Sequence, residues 1–389
     1  MSEHTVAPPI STLDPCDAER VDWDAVVIGA GLSGSVAARG LALRGHRVLL
    51  VERTAFPRSK VCGCCLGRLG RAALDSIGLP DLLSDCGARP LEEVRLHAGG
   101  RPARVPLREV VGVSREALDQ GLAREAIVAG AELLLGTMAD PAPDGTVRLR
   151  VDGAERRLTA RVVLHAGGLR AHQATDQRPE HARMVGFGAM APATPVLARS
   201  GTVEMVIGHA GYVGVAPLED GRVTIASALR SKFIRESGGA RSVVERMLGD
   251  AGMGDLVTDR SIRFTGVPSL HRRRTSVEDG RLLAVGDAAG FVEPITGEGM
   301  SWALAGGAAV VPCADRAIRE GTSNAGWSST WRDLMRRRHR RCSLVGACTR
   351  HPRLVRAALL GSSLLPRLRA PLLSGLLGGA EPVPTGGAT

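Results

Sequence analysis

The N-terminal part of the chain alternates short apolar runs with a stretch rich in alanine and leucine. Residues 24–29 (DAVVIG) are apolar and β-branched and end in glycine, which is typical of a buried parallel strand. Residues 32–43 have the composition of a helix, and residues 46–52 (HRVLLVE) predict a second strand. The pattern therefore predicts a βαβ unit within about thirty residues.

Further along, the hydrophobic positions take the period of a helix and then of strands. Residues 114–130 have helical spacing and end at a glycine, and residues 147–151 and 157–164 alternate as a hairpin around Asp152-Gly153. Three more alternating runs predict an antiparallel sheet, and another apolar strand and a helix follow. These are residues 203–207, 212–216 and 222–228, then 281–285 and 299–309. This order predicts a discontinuous α/β protein with two domains.

Composition limits the class of protein. With 389 residues and 44% hydrophobic content, the chain can bury one large or two medium cores. Residues 1–21 lack the features of a signal peptide and are predicted to be a flexible leader. No apolar run reaches the length of about eighteen residues that predicts a transmembrane segment. The eight cysteines form no disulfide framework, so we expect reduced thiols in a cytoplasmic enzyme.

The net charge of +10 is concentrated near the C-terminus. Between Arg332 and Arg369 there are eleven arginines and one acid, Asp333, so this stretch carries the whole excess. The remainder is close to neutral, which excludes a general nucleic-acid-binding protein. Residues 321–389 are predicted to be a basic helical C-terminal segment. Three interpretations of this segment stay open. It could dock on an anionic membrane or an acidic carrier protein, it could cover the substrate cavity, or it could be a solvated helix face.

A glycine motif lies inside the predicted βαβ unit. Gly29, Gly31 and Gly34 fit G-x-G-x-x-G at the start of the helix, and Glu52 ends the next strand eighteen residues later. The glycines allow a tight turn, close approach of a pyrophosphate and close helix–strand packing. Glu52 can accept hydrogen bonds from both ribose hydroxyls, and Arg53 is predicted to lie at the same site. The motif predicts dinucleotide binding but does not separate FAD from NAD.

A second strand–turn–helix motif lies late in the chain. Residues 280–308 (GRLLAVGDAAGFVEPITGEGMSWALAGGA) predict a strand that ends at Gly286-Asp287, and then a turn and a helix start with Pro294, Gly297 and Gly299. From residue 24 to residue 307 the chain resembles the glutathione-reductase-like FAD enzymes. That superfamily includes geranylgeranyl reductases, aromatic hydroxylases and flavin-dependent halogenases, and the geranylgeranyl reductases resemble this chain most.

The resemblance implies an α/β fold with a discontinuous Rossmann-like FAD-binding domain of the glutathione-reductase type. This domain is expected at residues 22–175 and 262–320. A smaller antiparallel-sheet substrate domain is expected at residues 176–261, with part of residues 70–112 on the substrate side. The helical C-terminal segment, residues 321–389, follows.

The resemblance also implies roles for single residues. Asp287 would bind a ribityl hydroxyl of FAD, and the helix start from Gly297 to Met300 would point its dipole at the N1/O2 edge of the flavin. Arg115, in V-S-R-E-x-L-D, matches an arginine near the pyrophosphate. Residues 60–63 (KVCG) match a loop that runs beside the isoalloxazine ring in geranylgeranyl reductases. The expected electron donor is NAD(P)H. It would bind transiently, because the chain has no second dinucleotide fingerprint, unless electrons arrive from another protein.

The chain departs from the pattern of each group of relatives. Gly167 stands where aromatic hydroxylases carry the aspartate of an Asp-Gly motif. Residues 212–217 (YVGVAP) keep the ends of the Y-x-W-x-F-P of lipid-reducing relatives and lose its Trp and Phe. This predicts a wider pocket beside Tyr212, although Tyr212 is equally explained as a rim residue of an ordinary strand. The halogenase W-x-W-x-I-P is absent, and Lys60 matches the halogenase lysine only loosely.

Four functions stay open. The first is hydride transfer from reduced FAD to a C=C bond of a hydrophobic isoprenoid or polyketide-type substrate. The second is NAD(P)H-dependent monooxygenation through a flavin C4a-hydroperoxide, and the third is halogenation. The fourth is a flavin-binding or carrier-docking protein without turnover. The substrate and the oligomeric state are not predicted.

Cys62 and Tyr212 are the candidate catalytic residues. Cys62, in Cys-Gly-Cys-Cys, is either a reactive thiol activated by the nearby Arg58 and Lys60 or a small residue that fits against the flavin. No second half of a ligand set accompanies Cys62, Cys64 and Cys65, so no metal site is predicted. Tyr212 is the one tyrosine in the chain. Three more acid–base candidates, named by position alone, are His209, Glu293 and Glu298.

Overall fold

The structure is a computed structural model that describes residues 7–99, 102–170, 184–267, 269–271, 274, 276–292 and 295–349. Predictions for Glu293, for Pro294 and for residues 350–389 fall outside these ranges. The described chain forms two eight-stranded sheets with helices packed against them.

The bounds of the elements are as follows. The strands are β1 (Trp23–Ile28), β2 (Val48–Val51), β3 (Cys65–Leu66), β4 (Arg89–His97), β5 (Ala103–Gly112), β6 (Glu132–Leu134), β7 (Met138–Pro141), β8 (Thr146–Val151), β9 (Ala154–His165), β10 (Met184–Pro192), β11 (Thr202–Gly208), β12 (Gly211–Pro217), β13 (Arg222–Arg230), β14 (Thr265–Val267), β15 (Glu278–Asp279) and β16 (Leu282–Ala284). The helices are α1 (Pro15–Ala18), α2 (Leu32–Ala42), α3 (Arg68–Ser76), α4 (Leu82–Asp85), α5 (Arg115–Val128), α6 (Pro195–Arg199), α7 (Ser231–Glu236), α8 (Ala240–Asp250), α9 (Gly299–Glu320) and α10 (Trp327–Thr349).

The first sheet has the order β15-β16-β9-β1-β2-β6, and the β7–β8 hairpin joins it through β9. The pairs β16–β9, β9–β1, β1–β2 and β2–β6 are parallel. Ala25 and Val27 of β1 share a hydrophobic cluster with Leu41 of α2, while Val26 and Ile28 pack with the hairpin. Because both faces of β1 are covered, its sequence is an uninterrupted apolar run.

The second sheet has the order β14-β10-β13-β12-β11-β4-β5-β3. Its predicted antiparallel part is confirmed as β11, β12 and β13. Val213 of β12 packs with Val244 of α8 on one face, whereas Tyr212 joins the cluster of Ala25 and Leu41 on the other. The alternation along β12 therefore turns Tyr212 toward the first sheet.

Two helices differ from or extend the predicted elements. Helix α9 continues past the predicted end at residue 309 to Glu320. In α10, Trp327 is fully buried and its indole N–H donates to the carbonyl oxygen of Ala284 at 2.7 Å, which ties the helix to β16. None of the helices in the described ranges combines the length and the hydropathy that crossing a membrane requires.

The end of the predicted flexible leader is packed on the first sheet. The backbone N–H of Thr12 donates to the carbonyl oxygen of Leu133 at 2.9 Å, and the Trp23 indole N–H donates to Ala18 at 2.8 Å. Ala18 is fully buried. Residues 7–21 are therefore ordered by contacts with β1 and β6 that the composition of the leader did not indicate.

Candidate functional site

The turn between β1 and α2 is built from glycines at the positions where a side chain cannot fit. Gly29 has φ +103°, and a Cβ there would lie 2.5 Å from the carbonyl oxygen of Ala166. A Cβ on Gly34 would overlap the carbonyl oxygen of Gly29, so this helix and strand approach as closely as glycine allows. Gly31 caps α2 with no side-chain hydrogen bond. The first N–H groups of the helix therefore remain available to an anion.

Glu52 is held in place at the carboxyl end of β2. Its carboxylate accepts hydrogen bonds from the N–H of Ala30 at 3.0 Å and from the N–H and hydroxyl of Thr54 at 3.2 and 2.9 Å. The guanidinium of Arg58 lies 3.2 Å away. Arg53 beside it is exposed. A fixed carboxylate at this point of a βαβ unit suits the ribose of a dinucleotide.

Three cations converge on one buried carboxylate, and we call Arg58, Lys60 and Arg115 the cationic cluster. Asp119 has no exposed side-chain surface. Its oxygens lie 2.8 Å from Nε of Arg115, 3.3 Å from Nη2 of Arg58 and 3.5 Å from Nζ of Lys60. Arg58 also donates to the carbonyl oxygen of Ala30 in the glycine turn. Because Arg58 also contacts Glu52, the three cations are shared between two buried carboxylates.

The cationic cluster lies at the start of α2. A Cβ on Gly31 would be 3.0 Å from Nζ of Lys60 and 3.7 Å from Nη2 of Arg115. Burial lowers the pKa of Lys60 to about 8, and Asp119 opposes this effect. Although burial acts in the other direction, the charges of Arg115, Lys60 and Arg58 hold the pKa of Asp119 below its ordinary value. The cluster and the helix N-terminus together form an anion site.

The loop after β2 brings Cys62 to the same place. The Thr224 hydroxyl, on β13, donates to the carbonyl oxygen of Cys62 at 2.8 Å, so the loop is attached to the second sheet. Cys62 packs against the cluster that contains Leu32 of α2 and Met300 of α9. A hydrogen bond from Cys64 lowers the pKa of Cys62 to about 6. Burial opposes this shift and the charge of Arg115 adds to it. These shifts favour the thiolate form of Cys62.

The pKa values of the two neighbouring thiols, Cys64 and Cys65, are shifted in the opposite direction. Cys64 has a left-handed backbone, φ +54°, and is buried; its N–H lies 3.3 Å from Sγ of Cys62. Its hydrogen bond to Cys62 and its burial raise the pKa of Cys64. Burial raises the pKa of Cys65 to about 12. Of the three, Cys62 alone has a lowered pKa.

The second motif also reaches this site. Asp287 lies in a 3₁₀ turn that begins at Gly286, directly after β16. Burial raises the pKa of Asp287, and the charges of Arg115 and Lys60 oppose this. Gly297, with φ +74°, brings the start of α9 near Cys65, where a Cβ on Gly297 would lie 3.9 Å from that of Cys65.

Helix α9 starts beside these residues. Gly299 is its first residue, and Met300 is buried in the cluster against which Cys62 packs. Glu298 caps the helix and accepts a hydrogen bond from the Thr296 hydroxyl at 3.2 Å.

The remaining candidates, Tyr212 and His209, lie on β12 and in the turn before it. Tyr212 is 9% exposed and packs in the cluster that contains Phe291, Val292 and Trp302. His209 is exposed in the turn between β11 and β12. The structure thus separates His209 from the cluster and places Tyr212 inside the molecule.

Sequence reasoning missed Asp119, although a signal for it was present. It is the last residue of the V-S-R-E-x-L-D motif, four positions after Arg115, and this spacing places both on one face of α5. Arg58 entered the prediction only as a neighbour of Cys62. Its contact with Glu52 depends on the path of the loop after β2, which no local pattern specifies.

The assembled residues fit FAD. The cationic cluster and the bare start of α2 match a pyrophosphate in charge, and Glu52 matches a ribose. Asp287 adds a second polar group beside Arg115. The orphan N–H groups at Gly31 supply the hydrogen-bond donors that a pyrophosphate accepts.

Comparison with known sequences also indicates an FAD-binding protein. Residues 22–310 match the FAD binding domain family. Digeranylgeranylglycerophospholipid reductase 2 of Methanopyrus kandleri is 28% identical over 338 residues, which cover 80% of this chain and 82% of that protein. Ubiquinone hydroxylase UbiL of Rhodospirillum rubrum is 27% identical over 304 residues, which cover 72% and 70%.

Solved structures show the same fold. PqsL of P. aeruginosa, in complex with 2-aminobenzoylacetate, superposes with a TM-score of 0.71 at 21% identity and covers 88% of this chain and 100% of that chain. The fold is a mixed α/β fold shared with such flavoproteins. The chain belongs to the FAD binding domain family and is an FAD-dependent oxidoreductase.

Proposed function

We propose that this protein transfers a hydride from reduced FAD to a C=C bond of a hydrophobic isoprenoid or polyketide-type substrate. The observation that carries the proposal is the position of residues 60–65, which join the cationic cluster to β13 through the bond from Thr224 to Cys62. A thiol loop at this place is the feature shared with geranylgeranyl reductases. The reductase relative from Methanopyrus kandleri supports the same choice.

We propose the following arrangement of the cofactor in a discontinuous Rossmann-like domain. The cationic cluster and the start of α2 bind the pyrophosphate, and Glu52 with Arg53 binds the adenosine ribose. Asp287 binds a ribityl hydroxyl, and the start of α9 stabilises negative charge on the flavin ring. When bound, FAD supplies the hydride. The residues assigned to the cofactor are Gly29, Gly31, Gly34, Glu52, Arg53, Arg115, Gly286, Asp287, Pro294, Gly297, Gly299 and Met300.

The reaction also needs a proton. One carbon of the double bond receives the hydride and the other receives a proton, so the product carries two more hydrogens than the substrate. Cys62 is less suited to supply that proton, because a hydrogen bond from Cys64 lowers its pKa. A phenol, with an ordinary pKa of about 10, keeps its proton. We therefore assign proton donation to Tyr212 and a charge-bearing role beside Arg115 to Cys62.

Monooxygenation with O2 is the second candidate, because the ubiquinone hydroxylase relative covers a similar part of the chain. Gly167 weighs against it, since aromatic hydroxylases carry an aspartate at that position. Halogenation is the least favoured candidate, because the chain lacks the W-x-W-x-I-P motif and Lys60 pairs with Asp119 at the start of α2.

The setting of the enzyme belongs to the same proposal. We propose that NAD(P)H reduces the FAD and that the enzyme works in the cytoplasm on a small hydrophobic substrate. The basic segment from residue 321 onward docks on an anionic membrane or an acidic carrier protein. Within it, α10 exposes Arg337, which provides positive charge for such a contact.

The test is turnover of the FAD-loaded full chain without oxygen. Isoprenoid quinones and prenyl alcohols are incubated with the enzyme and NADPH, and the masses of the products are measured by mass spectrometry. We expect a gain of two hydrogens. In Tyr212→Phe we expect product formation to fall about a hundredfold, while reduction of the FAD by NADPH stays unchanged. Product that forms only in air and contains oxygen from labelled O2 would establish the monooxygenase instead.

A further inference from the structure

A cavity of about 750 Å³ lies between α10 and residues 289–292, which follow Asp287. We call it the α10 groove. Its cationic wall consists of Arg332, Arg336 and Arg340, and none of the described residues that line it is acidic. Arg274 and His339 also line the groove.

The three arginines of the wall form one stripe. They are spaced four residues apart on α10, so their side chains lie on one face of the helix, and all three are exposed. Within the described part of the chain, no carboxylate forms an ion pair with any of them. Like charges at this spacing repel, and an anion seated between them removes the repulsion.

The floor of the groove is apolar. Phe291, Val292, Trp331 and Met335 line it, and all four are buried. The groove therefore combines an arginine wall with an apolar floor beside the segment that follows Asp287.

The size of the groove indicates its occupant. Its volume lies within the range of about 300–1,000 Å³ of sites for small molecules. A concave space of this size suits one molecule better than it suits the flat surface of a bilayer. Arginine, with its planar fork of donors, binds carboxylates and phosphates in a bidentate manner.

We propose that the α10 groove binds an organic anion, with the phosphate or carboxylate on the arginine stripe and an apolar body on the floor. This anion is the substrate, so the inference rests on the proposed function and narrows its substrate class to an amphiphile. Arg332, Arg336 and Arg340 determine specificity and take no part in the hydride step.

The experiment measures binding by calorimetry with the FAD-loaded full chain. The probes are farnesyl phosphate, farnesoate, farnesol and inorganic phosphate. We expect farnesyl phosphate and farnesoate to bind about tenfold more tightly than farnesol, and inorganic phosphate to bind weakly for lack of an apolar body. In the double variant Arg332→Gln, Arg336→Gln the advantage of the anions should disappear.

The matched control is Arg337→Gln, an exposed arginine of the same helix that does not line the groove. Its affinities should equal those of the wild type. Equal binding of farnesol and farnesyl phosphate, or a double variant that keeps the preference, would overturn the proposal. Binding to vesicles of phosphatidylglycerol without binding of the monomeric probes would also overturn it and favour membrane docking.

The measurements distinguish a failure of the groove proposal from a failure of the proposed function. The FAD absorbance and the thermal unfolding of the double variant show that its cofactor site is intact. If the anions bind as expected and no C=C bond is reduced, the proposed function fails while the groove remains a binding site. If farnesol and farnesyl phosphate are reduced with equal efficiency, the proposal that the groove selects anions is wrong, while the proposed function stands.

Discussion

Asp119 is the carboxylate on which the whole cationic cluster converges. In Asp119→Asn the three cations lose this counter-charge, so we expect the FAD-free protein to lose about 3 kcal/mol of stability. The pyrophosphate of FAD then replaces the missing negative charge. The rise in Tm on adding FAD should therefore be larger in the variant than in the wild type. Thermal unfolding with and without FAD measures both effects.

Asp250→Asn is the control, because Asp250 is exposed at the end of α8 and should leave both Tm values unchanged. If Asp119→Asn gains no more from FAD than the wild type does, Asp119 does not organise the anion site.

Lys60 makes FAD binding depend on pH. Its pKa of about 8 in the FAD-free protein means that it loses its proton as the pH rises through this value. The neutral amine no longer attracts the pyrophosphate, so the affinity for FAD should fall between pH 7 and about pH 9. Lys60→Arg keeps its charge over this range and should show a flat profile. A fluorescence titration of FAD at several pH values checks the difference, and parallel profiles for the two proteins would count against it.

Cys62 should react as a thiolate at unusually low pH. In the FAD-free protein, we expect its alkylation by iodoacetamide to increase as the pH rises through about 6. Cys16, which is exposed and has a raised pKa, should react only at much higher pH. Peptide mass spectrometry follows both residues in one sample. Arg115→Gln should move the Cys62 midpoint upward, and an unchanged midpoint would show that Arg115 does not act on the thiol.

At the scale of secondary-structure elements, the contact between α2 and β1 leaves no room for a side chain at Gly34. Gly34→Ala places a methyl group on the carbonyl oxygen of Gly29, so the helix must move away from the strand. We expect a loss of about 1–3 kcal/mol in the free energy of unfolding and weak FAD binding. Gly249→Ala in α8 meets nothing within 4 Å and should be neutral or slightly stabilising. Urea denaturation compares the two, and equal stability would contradict the packing argument.

The elements that could be predicted are those with an unbroken period. Helix α5 was predicted from its spacing, and its N-cap Ser114 accepts a hydrogen bond from the N–H of Ala117 at 3.0 Å. The hairpin of β8 and β9 was predicted from Asp152-Gly153, both of which have positive φ. Strand β4 was missed for a physical reason. Its register shifts between Leu91 and Glu93, so the buried Leu91 and Val94 lie three residues apart and the alternation is lost.

At the scale of the whole molecule, one hydrophobic cluster spans both sheets and α10. It contains Ala25 of the first sheet, Tyr212 of the second and Trp327 of α10. Trp327→Ala leaves a large cavity there, and we expect it to lower the stability by about 3–5 kcal/mol. Because the cluster is shared, circular dichroism and tryptophan fluorescence should report one common unfolding midpoint. Two separated transitions would show that the sheets unfold independently.

The relation between the sheets was the part least accessible from the sequence. The return of the chain to the first sheet was predicted from the second motif. The parallel pairing of β11 with β4 was not, because it joins segments about a hundred residues apart and depends on packing that neither segment reveals alone.

The strand order of the first sheet has a consequence for synthesis of the protein. Strand β16, which leads to Asp287, pairs with β9, and β9 pairs with β1. A ribosome therefore releases the glycine turn long before it releases the residues that complete the FAD site. In the proposed arrangement of the cofactor, the nascent chain lacks part of the FAD site until α9 has emerged, so we expect FAD to be acquired near the end of translation or after it.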